Sequence, residues 1–162
     1  EIVEQCLVLG ISPSTIVCTS SSGGTHAGLV AGRAWLRALG TYEVVPRLLA
    51  IGVAKGVIAG FPSVRELATE ALALAGLPGE VADDDIEVDG RWLGPDYAIP
   101  TEASQKASAW AAHAGAWVLD DIYTAKGMAG VLGNADDGRW ISNDDVIFIH
   151  TGGQPEVFVR HD

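Results

Sequence analysis

Apolar positions along the chain follow two alternating rhythms. Ile2, Val3, Cys6 and Leu7 share one face of a helical repeat that stops at Gly10. The run "STIVCT" (14–19) is continuously apolar or small and predicts a buried strand, and residues 26–39 return to a helical period. "LLAIGVA" (48–54) predicts a second strand. In "FPSVRELATEALALAG", Ser63 and Glu66 stand in capping-box spacing. Val64, Leu67, Ala68, Ala71, Leu72 and Ala75 then line one face of a helix that Gly76 ends. A short strand near 86–88 leads into the loop "GRWLGPDYAIP". Thr101 opens a helix to about residue 114, with Ala103, Ala107, Trp110, Ala111 and Ala114 along its stripe. "IYTAKGMAGVLG" predicts a helix ending at Gly133. "DVIFIH" is the last strand and runs directly into "TGGQP".

Strands that alternate with helices, and are apolar almost throughout, predict an α/β fold: a mostly parallel sheet with helices on both faces. In such sheets ligands gather beyond the carboxyl ends of the strands. Three unusual loops fall at such ends or before helices: "SSSGGT", "LGPDYAIP" and "HTGGQP". Their joint position matters more than any one of them.

Length and charge narrow the picture. The 162 residues make one domain without internal repeats, and 48% hydrophobic content is enough for a sizeable core. No apolar run reaches the ~18 residues of a membrane span, and the start does not resemble a signal peptide. A net charge of −11 argues against nucleic acid or anionic lipid as a partner. The acids cluster in "ADDDIEVDG" and "NADDGRW", expected as solvated turns. Cys6 and Cys18 have no metal or redox spacing; Cys18 is expected as a buried free thiol, and a reducing cytoplasm fits. The only methionine is Met128, and the chain opens inside a helical pattern without an N-cap, so it is expected to be part of a longer protein.

The loop "SSSGGTHAG" carries the chemistry. Glycines between a strand and a helix serve either a tight bend or the close approach of an anion to backbone amides. Ser22 and Thr25 add hydroxyl donors around Gly23 and Gly24, which favours the anion, with a phosphate monoester as the natural guest. A Walker loop would need a Lys that is absent, and a dinucleotide fingerprint would need GxGxxG with a following acid. His26, His113, His150 and His161 lack metal-ligand spacing and are expected to be structural or surface residues.

"SGGTHAGL", "DYAIP", "VLDDIYTAKGMAG" and "VIFIHTGGQPEVF", in this order, resemble the C-terminal part of D-cysteine desulfhydrases. These are relatives of 1-aminocyclopropane-1-carboxylate (ACC) deaminase, in the tryptophan-synthase-β-like group of pyridoxal 5'-phosphate enzymes. The resemblance implies that residues 1–162 form the C-terminal part of the large cofactor-binding domain of an incomplete fold. The N-terminal half, with the Schiff-base lysine, is then absent. It also implies that Ser22, Gly23, Gly24 and Thr25 cradle the cofactor phosphate, and that Tyr97 and Tyr123 are catalytic tyrosines facing substrate and cofactor. Thr124 and Thr151 fall where the deaminase branch carries Glu and Leu near the pyridine nitrogen.

A hydroxyl in place of a carboxylate at that nitrogen makes a weaker electron sink, sufficient to expel a good β-leaving group. The implied reaction is α,β-elimination on a small sulfur-containing amino acid: D-cysteine to pyruvate, sulfide and ammonia. The alternatives are ACC deaminase or cysteate sulfo-lyase activity of the intact protein, or a non-catalytic phosphate-binding module or inactive truncated paralogue. Where the family often has "GYG", this chain has Asp96-Tyr97-Ala98, and it has Asp120-Asp121 in place of "DP". Of its lysines, Lys106 is expected on a polar helix face and Lys126 on helical surface or as a local hydrogen-bond donor. Lys55, ending a strand on the ligand side, is expected as a solvated loop lysine, the one substitute for the missing lysine being the alternative. This chain alone is therefore expected to be inactive, and the intact protein a cytoplasmic homodimer.

Overall fold

The computed structural model describes residues 1–152, and His161 and the loop beyond Gly152 lie outside them. The chain runs α1 (Ile2–Leu9), β1 (Pro13–Ser20), α2 (Gly24–Leu39), β2 (Arg47–Gly52), α3 (Lys55–Ile58) and α4 (Val64–Ala75). It continues with β3 (Val88–Asp89), α5 (Glu102–Gly115), α6 (Thr124–Asp136) and β4 (Asp145–Ile149). The four strands form one sheet in the order β3-β2-β1-β4, and all pairings are parallel.

Alternation along β1 and β2 divides the core in two. Ile16 and Leu48 face α2 and α4, where Val30, Ala34, Val64, Ala68 and Leu72 pack against them. Val17, Leu49 and Ile51 point the other way, against Val131 of α6, Trp92 and Tyr123. Helices therefore cover both faces, as the continuous apolar strands require. Cys18 is buried in β1, and that burial pushes its thiol up to about 12.

Local signals set the helix ends. Ser63 accepts from the Glu66 amide at 3.3 Å and caps α4, and Gly76 ends it in the left-handed conformation. Thr101 and Ser104 cap α5 reciprocally. The stripe expected on α5 is corrected by the structure. Ser104, Ala107 and Ala111 are buried, whereas Trp110 and Ala114 face outward, Trp110 against Trp117 with ring centroids 6.1 Å apart. An alanine-rich helix has little apolar contrast, so its pattern does not specify which side turns inward.

Of the acidic turns, "NADDGRW" keeps Asp136 and Asp137 exposed as expected, and "ADDDIEVDG" does so for Asp83 and Asp84 but is corrected at Asp85 and Asp89. Asp85 is fully buried, paired with Arg33 and with Arg37 at 2.6 Å, and it accepts the Ala82 amide. Asp89 accepts from Arg91, Trp92 Nε1 and Asn134 Nδ2, tying the end of β3 to α6. These contacts hold the Asp89 carboxyl well below the usual carboxylate range, although burial opposes them.

Candidate active site

The strand order places a topological switch point beside β1. The connection leaving β1 crosses to β2 by way of α2, while β4 arrives on the opposite side by way of α6. A cleft of about 380 Å³ opens at the carboxyl ends of these strands. Thr19 and Ser20 of β1, the loop residues Ser21, Ser22 and Gly23, Thr25 and His26 of α2, Tyr97, Tyr123 and Thr151 line it.

The first turn of α2 forms one wall. Its N-cap is Gly23, at φ 84°, a left-handed conformation that costs glycine little and other residues more. A Cβ on the exposed Gly24 would meet nothing nearer than Ser22 Oγ at 4.0 Å, so the space beside its main chain is open. No side chain caps α2 and no acid lies in its first turn. Its leading amides have no partner within the helix and, with the helix dipole, suit an anion. Among the described lining residues there is no lysine, arginine or carboxylate. An anion here would be met by neutral donors.

The two tyrosines form the opposite wall. The Tyr97 and Tyr123 hydroxyls are in hydrogen-bond contact, with ring centroids 6.1 Å apart in an edge-to-face arrangement. Tyr97 is 45% exposed. Asp120 sets Tyr123 in place by accepting the amides of Ile122 at 3.0 Å, Tyr123 at 2.7 Å and Thr124 at 3.0 Å. Thr151 is fixed through its neighbour. The Gly152 amide donates to His150 Nδ1, so the His150 Nε2–H donates to Val118 O at 2.8 Å.

The cleft thus joins Ser22, Gly23 and Thr25 with the distant Tyr97, Tyr123 and Thr151, whereas Gly24, between Gly23 and Thr25 in sequence, is not among its lining residues. The cleft does not bring in Thr124. That residue is fully buried, and its hydroxyl lies 2.5 Å from Asp120 Oδ2 and accepts the Asp120 amide. Lys55 starts α3 and pairs with Asp96 at 2.9 Å instead of entering the cleft, and exposed Lys106 pairs with Glu102. Of the two readings of Lys126, the surface one is corrected, since it is fully buried; it is a hydrogen-bond donor, but to Leu93 O and Asp96 O, which are distant in sequence.

Sequence reasoning passed over Thr19, Ser20 and His26 as site residues. The two hydroxyls end the strand that enters the glycine loop, and that adjacency was the available signal. His26 is fully buried, neither ring nitrogen has a hydrogen-bond partner, and burial lowers its pKa to about 4. Ser20 Oγ and Thr19 Oγ1 are likewise buried without partners. Buried polar groups are usually satisfied, so three such groups around an anion-ready helix end mark a place built for something else to complete. Pyridoxal 5'-phosphate fits this donor set: amides and hydroxyls for an ester phosphate on one side, phenols on the other.

No family model matches the chain. The chain is 34% identical over 164 residues to the D-cysteine desulfhydrase of Salmonella typhi, across 99% of this chain and 46% of that protein. The D-cysteine desulfhydrase of Salmonella paratyphi C (strain RKS4594) matches at the same identity and coverage. The chain therefore spans less than half the length of these relatives. The crystal structure of an ACC deaminase homologue superposes with a TM-score of 0.70 at 27% identity, over 86% of this chain and 39% of that one. The four-stranded sheet thus corresponds to part of the larger fold of that structure. Similarity along nearly the whole sequence, together with a shared architecture, supports kinship with the D-cysteine desulfhydrase and ACC deaminase family, to the C-terminal portion of whose members this chain is similar.

Proposed function

We propose that the cleft is the pyridoxal 5'-phosphate and substrate site of a lyase, which in the intact protein expels sulfide from D-cysteine by α,β-elimination. The observation that carries this reading is the uncapped first turn of α2, which faces a pair of tyrosines across one cleft. When bound, the cofactor supplies an electron sink that labilises bonds at the amino-acid α-carbon.

The chain's own residues do the rest. The α2 amides and the Ser22 and Thr25 hydroxyls hold the phosphate. Thr151 offers a hydroxyl, not a carboxylate, toward the ring, and it does so without Thr124, whose hydroxyl is taken by Asp120. In the tyrosine pair one phenol donates its proton to the other. The pair lines the cleft, where a phenol would serve the substrate or leaving group. The lysine that would hold the cofactor covalently belongs to the remainder of the intact protein, which we read as a cytoplasmic homodimer.

The test compares pyridoxal phosphate with pyridoxal. The intact protein is expected to bind the phosphorylated form at least ~100-fold more tightly, a few charge-assisted hydrogen bonds' worth. It is also expected to release sulfide and pyruvate from D-cysteine. Equal binding of the two forms overturns the phosphate site. Ammonia from ACC, or sulfite from cysteate, in place of sulfide would reassign the substrate.

A further inference from the structure

The loop that carries Tyr97 is gripped from beneath. Lys126 lies on α6, three residues beyond Tyr123, with its side chain fully buried. Its Nζ donates to Leu93 O at 2.7 Å and to Asp96 O at 3.3 Å. The Asp96 carboxylate is occupied as well: Oδ1 accepts the Tyr97 amide at 2.8 Å, and Oδ2 accepts from Lys55 Nζ at 2.9 Å. Directly beyond Tyr97, Ala98 adopts φ 59°, a left-handed conformation that a non-glycine residue holds only when its surroundings impose it.

Burying an amine is expensive, and a leucine or methionine would fill the same space without that cost. What an apolar side chain lacks is directed N–H donors. Here both donors used are aimed at main-chain carbonyls of a single loop. Its fixed end is the helix that carries Tyr123.

We propose that Lys126 is a positioning residue which, assisted by Lys55 through Asp96, clamps the 93–96 loop so that the Tyr97 phenol stays against the Tyr123 phenol. Its effect on the reaction runs through that pair and rests on the reading of the cleft given above. Burial lowers the Lys126 pKa and the Asp96 carboxylate raises it again. The amine offers N–H donors to both carbonyls in either protonation state, so the clamp does not depend on its charge. The surface half of the clamp, Lys55 with Asp96, is exposed and contributes less.

The test uses the intact protein with its tyrosines labelled at 13Cζ, the two resonances assigned through Tyr97→Phe and Tyr123→Phe. Spectra are recorded first without cofactor. In Lys126→Met both resonances are expected to move toward that of free tyrosine, and in the exposed control Lys106→Met neither should. With cofactor and D-cysteine, kcat is expected to fall on the order of tenfold in Lys126→Met, with KM changed less. Lys126→Met combined with Tyr97→Phe should then be no slower than Tyr97→Phe alone. Lys126→Arg should recover part of both signals, and it serves as the test variant should the methionine form not fold. Unmoved tyrosine resonances in the folded variants, or kcat losses that multiply in the double variant, overturn the clamp. A protein that binds no pyridoxal phosphate defeats the reading of the cleft, but the cofactor-free spectra still decide the clamp.

Discussion

The first turns of α2 and α6 begin alike and are finished differently. Each places a fully buried titratable side chain at its third residue, His26 in one and Lys126 in the other. At α6 the protein's own acceptors close the turn. Asp120 takes three amides and the Thr124 hydroxyl, and Lys126 takes two carbonyls. At α2 the N-cap is a glycine, no side chain caps the turn, and His26 has no partner. A helix end closed by its own chain is an anchor, and one left open over a cleft is a receptor. The anchor holds Tyr123 and the receptor faces it.

Breaking the anchor should have the largest effect. Asp120→Ala in the intact protein removes the acceptor of four donors in a buried turn, for an expected loss of about 3 to 4 kcal/mol in urea unfolding. Asp120→Asn, which keeps one acceptor oxygen, should lose roughly half of that. Indistinguishable stability of Asp120→Ala and wild type would mean that water or another group already serves these amides.

The receptor should reveal itself through pH. The His26 pKa is about 4 in the folded state against 6.5 ordinarily, so on acidification the unfolded chain takes the proton first. The stability linked to this group is complete above about pH 6.5 and is lost as pH falls toward about 4, with ~3 kcal/mol at stake. Denaturation midpoints across that window should fall in wild type and stay flatter in His26→Gln. Parallel profiles would show that His26 is not protonated differently on unfolding.

Converting the receptor into an anchor sharpens the contrast. Gly24→Asp has room for its side chain and sets a carboxylate on the open amides. Stability should rise by about 0.5 kcal/mol while pyridoxal phosphate affinity, read by calorimetry, falls roughly thirtyfold. Both quantities moving in the same direction would contradict the distinction. The smallest effect on affinity is expected at Ser63→Ala, an ordinary cap on α4, which should cost about 1 kcal/mol of stability and leave affinity alone. An accompanying loss of affinity would show that α4 communicates with the cleft.

Much of this protein was legible from its residues because the signals were local. Ser63, Glu66 and Gly76 bound α4, and the apolar runs at 14–19 and 48–54 marked strands buried on both faces. The glycine loop stood out as a candidate anion site because the strand before it and the helix after it are contiguous in sequence. Similarity to known motifs singled out Tyr97 and Tyr123, which periodicity would have left as loop aromatics.

What stayed hidden depended on partners distant in sequence. Nothing near Lys126 tells of Leu93 or Asp96, and nothing near Asp85 tells of Arg33 and Arg37, so Lys126 read as surface or a local donor and Asp85 as a solvated acid. Thr124 and Thr151 looked equivalent on paper, and only the folded chain spends one hydroxyl on Asp120 and turns the other residue toward the cleft. The order of residues alone determined the elements, the α/β class and the loop able to receive an anion, since backbone geometry and apolar periodicity act over a few neighbouring positions. The tertiary structure decided which polar groups are consumed inside the protein and which remain for a ligand. That choice is made between segments that meet only when the sheet closes on its helices.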